Sequence, residues 1–121
     1  MTKAQEIRNR RLEKMQSDIT AQAEKVFDWM LDLIDADTKK GYFGSIEVCL
    51  FADEHTIRTT DLNGKKGTEY DLSDILLQHD RLALFSTLKK VVEQEDGFKA
   101  VLKPTATLWD SKCIIFQIFI E

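Results

Sequence analysis

Asp28, Asp32 and Asp35 stand at i, i+4 and i+7, a spacing that gathers three carboxylates on one face of a helix. Like charges so placed cost about 0.2–0.5 kcal/mol per pair. They also approach a helix C-terminus, where the macrodipole disfavours anions. Three readings account for such a face. A hard cation such as Mg²⁺ or Ca²⁺ accepts oxygen ligands of this kind. A basic partner surface relieves the same repulsion without demanding coordination geometry. A plain solvated face tolerates the small cost. Of the two compensations, a basic partner asks less of the geometry.

Other reactive residues are sparse. His55 and His79 are the only imidazoles, and neither stands in a recognisable local arrangement with a Ser or with Cys49 or Cys113. Both cysteines alternate with large apolar neighbours in strand-like segments, the pattern of a small buried hydrophobe rather than a nucleophile. Glu47, Asp53, Glu54 and Asp61 with Lys65 and Lys66 would supply the groups of a carboxylate-based, metal-dependent hydrolase. The simpler reading of Asp53, Glu54 and Asp61 is turn chemistry, and of Glu47 an exposed strand position. There is no glycine-rich phosphate loop, nucleophile elbow or zinc-type spacing. The expectation is a chain without catalytic residues and without a cofactor.

Charge is unevenly spread. Lys3, Arg8, Arg10, Arg11 and Lys14 face only Glu6 and Glu13 in the first fourteen residues, a balance of +3 within a chain of net charge −4. The basic arm Arg8, Arg10, Arg11 and Lys14 can contact phosphates in a salt-sensitive, sequence-independent way. Few aromatic or recognition-type polar residues accompany it, so base reading is not indicated. Its simpler reading is a solubilising first turn or two, and the acidic total argues against a general nucleic-acid binder.

The elements that carry these groups follow from periodicity. At 121 residues, 43% apolar and 31% charged, the chain has the size and composition of one folded domain. Thr2 with Gln5 fits a capping box, and neither Pro nor Gly interrupts the sequence from there to about Thr38. Leu12, Ile19, Val26 and Leu33 recur every seven residues as one helical stripe, and Gly41 is placed to close the helix. Period two then takes over. Strands are expected over residues 46–50, 55–60 and about 67–70, the last after the Asn63-Gly64 turn. A second helix is expected from Asp71 or Ser73 to about Glu95, its stripe formed by Leu72, Ile75, Leu82, Phe85, Leu88 and Val92, with a break near residues 78–80 that Asp80 can cap. Strands at 98–103 and 112–121 complete the chain; the last is apolar on both faces and so belongs inside a sheet. The fold class expected is α+β: a long N-terminal helix, an antiparallel sheet of four to five strands, and a second helix on the same face.

Geometry adds a functional expectation. A helix of about 35 residues is roughly 50 Å long at 1.5 Å per residue, whereas the remaining residues pack into a body roughly 30 Å across. Residues 19–34 are dense in large apolar side chains, while residues 3–15 offer only Ala4, Ile7, Leu12 and Met15. Residues 1–16 are therefore expected to project, and a projecting helix with so thin a stripe must fray, fold back near Ser17-Asp18, or find a partner. Ile7, Leu12, Met15 and Ile19 are the candidate partner-binding or dimerisation residues. The helix is basic at its start and acidic over residues 28–37, so two antiparallel copies set opposite charges together. Arg8 and Gln22 fall on the seam, which argues against a regular coiled coil.

The leading expectation is a non-catalytic interaction or regulatory protein, a homodimer that binds a protein partner. A nucleic-acid-associated accessory protein using the basic arm is the alternative, and the carboxylate hydrolase a third. Small size, a basic helical start and the lack of cofactor motifs suit an accessory protein of the bacteriophage or mobile-element kind, although no motif identifies a family. No apolar run approaches a membrane span and no signal-peptide core follows the charged start, so a cytoplasmic protein is expected.

Overall fold

A computed structural model describes residues 2–51, 56–59, 69–72, 81–108 and 111–120. The capping box forms as its sequence requires. Gln5 N–H donates to the Thr2 hydroxyl (3.2 Å) and Thr2 N–H donates to Gln5 Oε1 (2.9 Å). From this cap α1 (Lys3–Lys39) runs unbroken for 37 residues, straight through Ser17 and Asp18, a length of about 55 Å. It ends in a Schellman arrangement. Gly41 takes φ +89°, its N–H donates to Thr38 C=O (3.0 Å), and Tyr42 N–H donates to Asp37 C=O (2.9 Å). A side chain at Gly41 would be strained in this left-handed conformation.

The sheet contains β1 (Ile46–Phe51), β2 (Thr56–Thr59), β3 (Glu69–Asp71), β4 (Phe98–Leu108) and β5 (Ser111–Ile120), with α2 (Arg81–Gln94) between β3 and β4. Spatial order is β3-β2-β1-β5-β4, every pair antiparallel. The doubly apolar β5 lies inside the sheet between β1 and β4. The alternation of β1 sets register: Ile46, Val48 and Leu50 lie opposite Ile118, Phe116 and Ile114 on the face that meets the helices.

Three details depart from sequence expectation. Asp71 does not cap a helix; it ends β3, where its carboxylate accepts a hydrogen bond from the Thr56 hydroxyl (2.8 Å). In α2 the buried stripe is Leu84, Phe85, Leu88 and Val92, while Leu82 is 37% exposed because it sits roughly 100° around the helix from the centre of that stripe. β4 continues past Lys103 through Pro104 to Leu108, accommodating the proline at a shift of register between Lys103 and Ala106. The expected caps Ser73 and Asp80, with Ile75 and the Asn63-Gly64 turn, lie outside the described residues.

β4 is the long edge strand, and its sequence guards it. Lys99 and Lys103 stand on the face away from the helices, and Pro104 with the neighbouring bulge interrupts the ladder a passing chain would copy.

The core lies between sheet and helices. Ile19, Ala23, Val26, Phe27 and Met30 of α1 join Leu84, Phe85, Leu88 and Val92 of α2 and the inward residues of β1, β2, β4 and β5. Helix α1 packs against α2 and shares the core with the strands. It touches strands through Phe27, edge-on to Phe98 (5.7 Å between centroids), and through Trp29 beside Tyr70 (5.5 Å). Gln22 is the one buried polar residue among those described, and its Nε2–H donates to the Tyr70 hydroxyl (3.1 Å). The residue that interrupts the seven-residue seam is thus a satisfied core amide.

Candidate functional site

The two ends of α1 differ in what they bury. Every residue from Thr2 to Lys14 is exposed, Met15 is half-buried, and the core begins at Ile19. About sixteen residues, roughly 24 Å of helix, thus precede the first core contact. Leu12 is 57% exposed and Ile7 is 47% exposed. Leu12 and Met15 continue the line of Ile19, Val26 and Met30, so the apolar stripe runs on beyond the body it serves. Ile7 lies roughly 100° off that line. Ile19, grouped with these three from sequence, is only 6% exposed and belongs to the core, so the accessible stripe ends at Met15.

Arg8, Arg10, Arg11 and Lys14 are exposed along the same segment, and Lys14 Nζ meets Asp18 at 2.9 Å. Asp28, Asp32 and Asp35 are exposed near the other end, with Asp35 held by Lys39 at 3.2 Å. Among the described residues no ion pair reaches Arg10, Asp28 or Asp32. No three His, Cys, Asp or Glu side chains among the described residues converge as a metal would require. Asp28, Asp32 and Asp35 line one exposed face of α1. Of the possible hydrolase set, only Glu47 lies within the described residues; Asp53, Glu54, Asp61, Lys65 and Lys66 fall outside them, as do the two imidazoles, His55 and His79.

Cys49 and Cys113 occupy the sheet face turned away from the helices. Cys49 pairs with Ile115 and Phe51 with Cys113, which makes the two thiols diagonal neighbours. They are 3% and 2% exposed and no disulfide joins them. Burial pushes the Cys113 thiol above its ordinary pKa, and the nearby Glu47 carboxylate pushes it further the same way. Neither cysteine meets the exposure a Cys–His nucleophile needs. Cys113 is expected to react with iodoacetamide at neutral pH at least about tenfold more slowly in the folded protein than after denaturation, read by mass spectrometry of the modified peptide. Because the folded-state pKa is the higher one, the thiol's contribution to stability is intact below the ordinary thiol pKa and is lost as pH climbs through the raised value. Cys113→Ser is expected to flatten that alkaline limb of stability against pH. An equal alkaline loss in the variant would assign it to other groups.

One exposed apolar set had a faint sequence signal. The register of Ile46 with Ile118 brings the loop carrying Tyr42 and Phe43 to the end of the sheet where β5 finishes with Phe119 and Ile120. All four are exposed, Phe43 at 83%, and Gln117 Nε2–H donates to the Ser45 hydroxyl (2.7 Å) at the same end. Alternation along β5 put Phe119 on the face away from the helices, but only pairing with β1 brings Tyr42 and Phe43 nearby.

Among the described residues no helix is long and apolar enough to cross a membrane. The chain matches no protein-family model, and no similar protein emerges from comparison with curated proteins or with solved structures.

Proposed function

We propose that this chain is a non-catalytic interaction protein that works as a homodimer and docks a protein partner through the leading half of α1. One observation carries the reading: an intact, capped helix extends roughly 24 Å beyond its first core residue while still presenting Leu12 and Met15 in line with the core stripe. An isolated helical segment of this length is marginal in water, because nucleation is costly and its own hydrogen bonds barely offset lost chain entropy. Contacts from another chain would supply what its own body does not. A protein partner suits Leu12 and Met15, which together offer an apolar strip too narrow for a self-sufficient coiled coil, with Arg8 lying between them and the N-terminus.

Deletion of residues 1–16 tests the reading. The shortened chain keeps every core residue of α1, so its circular dichroism and cooperative unfolding are expected to persist. Its mass in sedimentation equilibrium is expected to fall from that of a dimer to that of a monomer. A truncated chain that remains fully dimeric would remove the leading half from the association.

A further inference from the structure

The outward face of α1, opposite the stripe that meets the body, carries Arg10, Lys14, Ala21, Asp28 and Asp32, all exposed. At 3.6 residues per turn these five fall within roughly 40° of one another. Their order is symmetric about Ala21 in position and inverted in sign. Arg10 and Asp32 are equally far from Ala21, and so are Lys14 and Asp28. Resting on the homodimer reading above, we infer that two copies pair antiparallel through this face, around a two-fold axis at Ala21.

A two-fold at Ala21 sets Arg10 of one copy opposite Asp32 of the other and Lys14 opposite Asp28, each pair occurring twice. Ala21 at the crossing, with Ser17 beside it, lets the helix axes approach to the usual 8–10 Å. Charge complementarity identifies the occupant as a second copy. Each chain carries two self-repelling groups, cationic Arg10 and Lys14 at i, i+4 and anionic Asp28 and Asp32 at i, i+4, and the same operation neutralises both. Lys14 already holds Asp18 within its own chain, so Asp28 of the second copy would complete a three-membered network. At the ends Lys3 meets Lys39, but Asp35 already takes the Lys39 charge. Because this face points away from the core, the two bodies lie on opposite sides of the helix pair and do not collide. The Leu12–Met15 stripe stays open on each copy.

Charge reversal in the full-length chain tests the arrangement, with sedimentation equilibrium as the readout. Arg10→Glu with Lys14→Glu makes all four paired positions acidic, and Asp28→Lys with Asp32→Arg makes all four basic. Each double variant alone is expected to weaken self-association at least about tenfold, since four attractive contacts become four repulsive ones. An equimolar mixture of the two, and a chain carrying all four changes, are expected to regain the dimer. The unmodified dimer is expected to weaken as NaCl rises from about 0.05 to 0.5 M, as screening shortens the reach of exposed charges. Double variants that dimerise undiminished, or a mixture that stays monomeric, would overturn this pairing while leaving a homodimer built elsewhere. An unmodified chain that is already monomeric would overturn the pairing and the homodimer reading together.

Discussion

Phe116→Ala is expected to remove about 3–5 kcal/mol of stability, the range typical of a fully buried aromatic truncated to alanine. Phe116 is 0% exposed on β5, opposite both Val48 of β1 and Leu102 of β4, and its ring lies 5.9 Å from that of Phe85 on α2. It therefore touches the two strands beside it and the helix above. Truncation both returns less apolar surface to the core and leaves a cavity whose walls are held by the sheet ladder and can relax only in part. Since domains of this size are commonly stable by about 5–15 kcal/mol, the variant is expected to unfold at a far lower urea concentration or to fail to fold near 37 °C. Phe116→Leu, which keeps most of the volume, is expected to cost clearly less. A loss below about 1 kcal/mol for the alanine variant would mean that Phe116 does not hold sheet and helix together.

The second large effect separates the two halves of α1. Val26→Asp is expected to cost about 3–5 kcal/mol, whereas Leu12→Asp on the same stripe is expected to change stability by no more than about 0.5 kcal/mol. Both substitutions put a carboxylate into the same helix, and helix propensity alone would make Leu12→Asp slightly the costlier, since Leu is the better helix former. Burial sets the opposite order. Val26 is 0% exposed amid Ala23, Met30 and the apolar side of α2, where an ionised carboxylate would lose its hydration with no buried cation among the described residues to replace it. Leu12 is 57% exposed, and a carboxylate there stays in water. The Val26→Asp loss should shrink as pH falls towards 4, because the buried acid titrates high and is then neutral. Urea denaturation of both variants at pH 7 and pH 4.5 reads this directly. Similar losses at the two positions would contradict a leading half without structural duty to its own body.

Much of this arrangement was legible in the residues because local rules agreed with the global packing. Thr2 and Gln5 at one end and Gly41 at the other bracketed α1 to within a residue or two. Alternation in β1 and β5 gave both strands and the inner faces that pair Val48 with Phe116. What stayed hidden depended on tertiary partners. Gln22 read as a flaw in the stripe because no local signal points to Tyr70, 48 residues on in the chain. Leu82 looked like core because it stands three and six residues before Phe85 and Leu88, and only the rotation of α2 fixed by packing on α1 and β4 buries Leu84 in its place. Asp71 suits a cap as readily as a strand end, and its pairing with Thr56 chose the latter. At the candidate site the exposure of Leu12 followed from arithmetic on helix length. The division of Ile19 from Met15 did not, because it depends on where the body ends.

Sedimentation equilibrium of the unmodified full-length chain at high micromolar concentration and low salt bears most directly on the claim that α1 reaches past its own body to find another chain. A mass twice that of the single chain, declining towards one as salt rises or the sample is diluted, is the predicted result. A single-chain mass at every concentration and salt level would contradict it.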